Sequence, residues 1–479
     1  MPKSAHFLLR GFLFLLAAVL RFWDLPNLPL MHDELSAWSR LQYASFQELI
    51  ELGVKPDGHP AGVQVFLWFW VKCFGDKPWV IKFPFILMGL GSLFFAYQIG
   101  KKWFSENTAL LLVACMATQQ FAISLGANVA RPYASGLFLS LLMVWAWTNF
   151  IEKKGSLFIT LSYLFASVLC LYNHHFTALF AGIVWLSGFY LTKDWKRFLL
   201  LALGMFVLYF PHLPIFMNQF QNKGLEWLGK PDIYFVKDYF GYIFHYSIYV
   251  EIFILILFSY SLYKNYQLNT NNSPTSENLT FSTLQKRSIS LLWFFLPLLI
   301  GYAYSVLRAP LLQFSMLIFT YPFLLLFLFS YTEHFKKAEM NLAVFALISL
   351  NLLSLIYKRQ HFDISYHQPH KAFYEYAARE TPPQDSTLTY YSIRKEYVEY
   401  YAKQEKKDIS ARYLFKDVNN LREWEQQLQQ MKQPHLVLGN MPYSFVKLAN
   451  RYFPYLKEIE KGFTYEIYEL SKKGTRNGM

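Results

Sequence analysis

The sequence predicts a polytopic α-helical membrane protein: about 11 transmembrane helices, two helices resting on the membrane surface, and a small C-terminal α/β soluble domain. Three observations predict it. The 479 residues are 54% hydrophobic and 20% aromatic, and only 16% are charged. Apolar runs of about 17–22 residues recur between short basic clusters, the length a helix needs to cross a bilayer. After about residue 358 the composition turns polar and charged, and the period of the hydrophobic pattern changes.

The runs lie near 6–23, 82–100, 107–126, 132–151, 156–172, 176–192, 198–216, 248–264, 288–306, 311–331 and 339–357. The first follows Lys3 and Arg10 and ends in "LRFWDLP", which has no small-residue cleavage site; it reads as an uncleaved span. Alternate connections hold the basic clusters: Lys101/Lys102, Lys153/Lys154, "KDWKR" at 193–197, Lys286/Arg287 and Lys336/Lys337. By the positive-inside rule these loops and the N-terminus are cytoplasmic, and the C-terminal domain is extracytoplasmic. The net charge of +13 is thereby explained without a nucleic-acid partner. Cys73, Cys115 and Cys170 suggest no disulfide framework and no Cys-based metal site.

Between the first two spans, residues 24–81 form a long outer loop. Its segment "GVQVFLWFWVKCFG" (62–75) is apolar but too short to span, and reads as a helix in the outer interface. "ELSAWSRLQYASFQELIEL" (34–52) reads as a second such helix, with Leu35, Trp38, Leu41, Phe46, Leu49 and Ile50 on one side. Segment 265–287 reads as a flexible cytoplasmic loop, where its Asn-x-Ser/Thr matches face the wrong side for glycosylation. These readings divide the chain into a membrane domain, 1–357, and a second domain, 358–479. In the latter, "STLTYYS", "ISARYLF", "HLVLGNM" and "FTYEIYEL" read as strands, and "KEYVEYYAKQ", "LREWEQQLQQM" and "SFVKLANRYF" as helices. It has no Gly-rich phosphate loop and no obvious triad, so it reads as an accessory domain.

The ionisable residues give the functional signal. The span cores carry almost none, and the polar residues gather at the outer ends of separate spans: Asp33/Glu34 and Asp57/His59, Asn128 and Arg131, Asn173 to His175, Lys230, and Arg308. Charges at that depth are costly, so they point to a site at the membrane–water boundary, reached by a lipid from the bilayer and a second substrate from outside.

The order "MHDE", "DGHPAGVQVFLWFWVKCFG", "VIKFPFILMGLGSLFFAYQIGKKWF" resembles the membrane-embedded C-type glycosyltransferases, in the bacterial branch related to protein O-mannosyltransferases and the lipid A aminoarabinose transferase. "ANVARPYASGLF" is similar to that branch's Arg-x-Tyr segment, "LYNHHFTALFAG" to its Tyr-x-His segment, and "EWLGKP" to its Trp-x-x-x-Pro; the resemblance covers roughly residues 1–335. It implies transfer of a hexosyl or pentosyl group from a polyprenyl-phosphate donor to a protein, lipid or glycan acceptor, on the outer face of the cell (inner) membrane and with inversion. Asp33 matches the family's acidic position and would act as general base, with Glu34 its partner. Arg131, Lys230 and Arg308 are the cations available to the departing lipid phosphate. Tyr133, His174, His59 and Asn128 complete the expected substrate contacts. Relatives often carry a second acid two residues before the Arg of the Arg-x-Tyr segment; here that residue is Val129. No cofactor follows, although His32, His59, His174 and His175 leave a divalent metal open.

Plainer readings stand beside these. Asp33 would serve as a helix N-cap, Glu34 as a first-turn acid, and Asp57 and His59 as turn residues. Arg131, the histidines, Lys230 and Arg308 would be interfacial anchors. A transporter or flippase is the main functional alternative, but that class builds its path from charges at the bilayer midplane. A membrane scaffold presenting its α/β domain is a third.

Overall fold

The computed structural model describes residues 3–152, 156–221, 228–269, 282–379, 386–391, 396–406, 416–418 and 420–473. The chain divides into two compact units. The first is Met1–Leu25, Arg40–Asp76 and Val80–Gln360; the second is Pro26–Ser39, Lys77–Trp79 and His361–Met479. The second unit therefore takes in part of the first outer loop, Asp33 and Glu34 included.

In the first unit, the apolar runs form helices because nothing in them competes for the main chain. Seven helices among the described residues are long and apolar enough to cross a membrane: Pro78–Trp103, Pro132–Glu152, His175–Thr192, Trp195–Gln221, Ile248–Gln267, Thr283–Leu307 and Lys337–Lys358. An eighth is reached only by joining Glu106–Thr118 to Gln120–Asn128, a pair bent by 74°. Of the about 11 expected spans, these helices account for seven, or eight with the bent pair. Lys3–Phe22 is helical but carries Arg10 and Arg21 as well as Lys3, and Leu157–Asn173 is shorter. The expected span 311–331 is a tight turn, Phe314–Phe319, followed by a short buried helix, Tyr321–Phe329. Pro322 lies in the first turn of that helix, where its missing N–H is harmless; further along a helix it would break the ladder.

The bent pair turns at Gln119, which is extended (φ −77°, ψ 131°). The main-chain carbonyls freed by the break are taken by a single side chain. The Arg21 guanidinium donates to Met116 O (3.0 Å), Ala117 O (3.1 Å) and Ala122 O (3.3 Å). Arg21, in the last turn of Lys3–Phe22, and Lys82, near the start of Pro78–Trp103, are both buried.

Residues 62–75 form the expected short helix, Ala61–Phe74, which stops at Gly75, where φ is 88°. It lies close against Leu157–Asn173. A Cβ on Gly62 would fall 2.5 Å from Tyr172 O, so only glycine fits. Segment 34–52 is not one helix. His32–Ser39 is followed by a tight turn, Arg40–Gln42, and the chain restarts at Phe46–Glu48, running into a wide π-type turn, Leu49–Val54. The restart is a capping box: Glu48 N donates to Ser45 Oγ, and Ser45 N donates back to Glu48 Oε2. The expected loop 265–287 is helical at both ends, to Asn269 and from Thr283; residues 270–281 lie outside the described ones.

The second unit is built on a five-stranded sheet: β1 Ser386–Tyr391, β2 Lys416–Val418, β3 His435–Gly439, β4 Tyr455–Lys461 and β5 Glu466–Ser471, in the order β2-β1-β3-β5-β4. β1 pairs in parallel with β2 and β3, whereas β5 runs antiparallel to β3 and β4. Helices Glu396–Gln404, Leu421–Gln430 and Tyr443–Tyr452 match the expected ones. Trp424, Leu428, Leu436, Leu438, Val446, Phe453 and Leu470 form the core. The expected strand at 409–415 lies outside the described residues. β4 went unread because "YLKEIEK" is a charged edge strand with little alternation. Helices His361–Tyr366 and Pro369–Arg379 were also unread.

Candidate functional site

In the first unit, a polar cluster forms where the outer loop enters Ala61–Phe74. Arg40 pairs with the Asp57 carboxylate, which also accepts from Gly58 N (2.8 Å) and lies 3.4 Å from His59 Nδ1. The loop is tied to the Trp195–Gln221 helix at two points. Gln219 Nε2 donates to His59 O (2.7 Å), and Ala61 N donates to His212 Nε2 (3.0 Å). Neither Gln219 nor His212 stood out in the sequence.

Arg131 reaches the same loop from the turn after the broken helix. Its Nη2 is 3.4 Å from His59 Nδ1, the residue is only 7% exposed, and its Nε has no hydrogen-bond partner among the described residues. Lys82 Nζ fixes that turn by donating to Asn128 O (2.9 Å), while Asn128 Oδ1 is buried without a partner among the described residues. The start of Pro132–Glu152 is locked to the end of Leu157–Asn173, since Asn173 Nδ2 donates to Pro132 O (2.8 Å) and Ser135 Oγ donates to Asn173 Oδ1 (2.6 Å).

That lock delivers His174, whose ring is 5.2 Å from His59 and 6.5 Å from Tyr133. His174 caps the next helix by accepting Phe176 N–H on Nδ1 (3.0 Å). A neutral ring that accepts on Nδ1 carries its proton on Nε2, so His174 has one N–H to donate. Burial opposes the Asp57 charge, but His59, Arg40 and Arg131 outweigh it and hold the carboxyl well below the usual carboxylate range. Arg40 pairs with the carboxylate and Arg131 adds a second positive charge beside it, so this half-buried cluster is net positive, which suits an oxyanion such as a phosphate.

His59, Asn128, Arg131, Tyr133 and His174 are therefore brought together. Lys230 and Arg308 are both exposed and make no hydrogen bond or ion pair with these residues: Lys230 Nζ donates to Val306 O (2.9 Å), and the Arg308 guanidinium lies over the Phe220 ring (4.7 Å). Trp227 of "EWLGKP" is outside the described residues. Among those described, no three of His, Cys, Asp or Glu are placed to hold a metal ion together.

Asp33 and Glu34 belong to the second unit. The helix there starts at His32, with Met31 as its cap, so Asp33 is a first-turn residue rather than the cap. Glu34 is 2% exposed, and its Oε2 accepts Met31 N–H (2.8 Å), the returning half of a capping box. Asp33 is exposed and makes no hydrogen bond or ion pair with the described residues.

His32 lies against His370 (Nδ1 to Nε2, 3.2 Å), and Tyr397 stands edge-on to both rings. Burial, followed by His32, pushes the His370 pKa down to about 3 from its ordinary 6.5. The unfolded chain protonates this histidine where the folded chain does not. Its contribution is therefore complete above about pH 6.5 and is lost as pH falls toward about 3. Thermal melts at about pH 7.5 and 4.5 are expected to show a larger fall for the native chain than for His370→Leu. Equal falls would assign the acid sensitivity elsewhere.

Residues 58–215 match the sequence family described as dolichyl-phosphate-mannose-protein mannosyltransferase. That stretch contains His59, Asn128, Arg131, Tyr133 and His174, but not Asp33, Glu34, Lys230 or Arg308. No curated protein sequence matches the chain. The crystal structure of ArnT from Cupriavidus metallidurans bound to undecaprenyl phosphate superposes with a TM-score of 0.55, covering 98% of each chain at 10% identity. Its apo state gives 0.56, covering 97% of this chain and 98% of that one at 11% identity. Residues 58–215 thus carry sequence similar to that family, and the chain as a whole has a fold like that of ArnT.

Proposed function

We propose that the protein transfers a sugar from a polyprenyl-phosphate donor to a hydroxyl acceptor (protein, lipid or glycan) on the outer face of the membrane, inverting the anomeric carbon. The acceptor oxygen attacks that carbon, and Asp33 takes its proton. The bond to the phosphate oxygen breaks, and the polyprenyl phosphate leaves with the electron pair. Arg131, with Nε–H and Nη–H donors to spare, stabilises the leaving charge. His174 donates through Nε2–H, Tyr133, His59 and Asn128 shape the surrounding contacts, and Lys230 and Arg308 attract the anionic donor. The N-terminus and basic loops are cytoplasmic, and the C-terminal domain is extracytoplasmic.

The observation that carries this reading is a half-buried, net-positive cluster whose Arg131, His59 and His174 lie inside the segment with mannosyltransferase-like sequence. The undecaprenyl phosphate bound to ArnT supports the same donor class. Membranes containing the protein are expected to move label from a radiolabelled polyprenyl-phosphate sugar to an endogenous acceptor, and membranes lacking it are not. Equal labelling in both would overturn the assignment.

A further inference from the structure

Helix Glu396–Gln404 places Tyr397, Tyr400 and Tyr401 at spacings of three and four, on one buried face. Several of the groups facing them come from the opposite end of the sequence. Tyr401 Oη donates to Leu30 O (3.0 Å), a buried bond between residues 371 apart. Tyr400 stands edge-on to Trp38 at 4.6 Å. Tyr397 is 5.5 Å from the His32 ring, which stacks on His370 at 5.4 Å.

These contacts fall on both sides of Asp33, at Leu30 and His32 before it and at Trp38 after it. The helix they hold, His32–Ser39, has eight residues, too few to be stable on its own in water. Leu30 and Leu35 are also fully buried, so the segment is a packed part of the second unit rather than a loop lying on it. The Asp33 carboxylate is exposed and has no partner among the described residues.

We propose that Tyr397, Tyr400, Tyr401 and His370 are positioning residues. They grip the segment around Asp33 and set its carboxylate for proton transfer, so the C-terminal domain acts on the chemical step. This rests on Asp33 being the base. A misplaced base loses rate more than affinity, since substrate binding does not require its alignment.

The test uses the full-length protein in membranes, comparing wild type, Tyr397→Ala/Tyr401→Phe and Tyr397→Phe. Amide exchange over residues 28–38 is expected to quicken in the double variant. Its kcat is expected to fall about 10- to 100-fold, with KM for donor and acceptor within about twofold of wild type. Tyr397→Phe keeps the ring and is expected to retain wild-type kcat and exchange. Faster exchange with unchanged kcat would overturn the positioning role, and unchanged exchange would overturn the grip. If wild type transfers no sugar, the reaction assignment fails by itself, and the exchange arm still decides whether the segment is held.

Discussion

Asp33→Asn is expected to lower sugar transfer by about 10²–10⁴-fold, the range for loss of a general base, with the protein still folded and at normal level in the membrane. The substitution keeps the shape and removes only the capacity to accept a proton. Its structural cost is small because Asp33 is exposed and bonds to no described side chain. What is lost is one favourable first-turn charge, about 0.3–1 kcal/mol. Glu34 is the contrasting case, since its buried carboxylate holds the Met31 N–H and a change there acts on the helix itself. Transfer rates and quantified protein in washed membranes provide the measurement. Wild-type transfer in Asp33→Asn would remove Asp33 as the base.

Arg21→Met is expected to give the largest loss of stability. The variant leaves the carbonyls of Met116, Ala117 and Ala122 without their donor at the kink. A buried polar group deprived of its partner costs about 1–3 kcal/mol, so the sum reaches several kcal/mol. The damage would travel, because the segment after the break ends at Asn128 and Arg131. Arg21→Lys is expected to recover only part of the loss: an ammonium offers no planar fork to reach three acceptors. Thermal unfolding of the detergent-purified protein measures the effect. A melting temperature unchanged in Arg21→Met would show that the break is held by other contacts.

What could be read in the sequence follows from the range of the interactions involved. Hydropathy averages over a window, so it located seven long helices, and it obscured Arg21 and Lys82, lone cations diluted by apolar neighbours. The break between Tyr43 and Ser45 had a local signal, the Ser-x-x-Glu box at 45–48, which the apolar spacing across it masked. Three strands of the small domain matched β1, β3 and β5 because they alternate or run apolar, whereas charged β4 does neither. Within the site, His59, Arg131 and His174 stood out as polar residues at the ends of apolar runs. Gln219 and His212 did not, because their partners lie 160 and 151 residues away. The joining of residues 26–39 to the C-terminal sheet domain depends on contacts longer still, which no local pattern encodes.

That joining sets a rule for anyone cutting or grafting the chain. A fragment started at His361 would lack Leu30, Leu35 and Trp38, leaving the tyrosine face of Glu396–Gln404 bare and prone to aggregation. A chimera that exchanges the C-terminal domain for a relative's would need two exchanged pieces, with residues 26–39 travelling alongside it. Drift in either piece would be checked by the other, so the acid-bearing segment and the distant domain are expected to change sequence as one module.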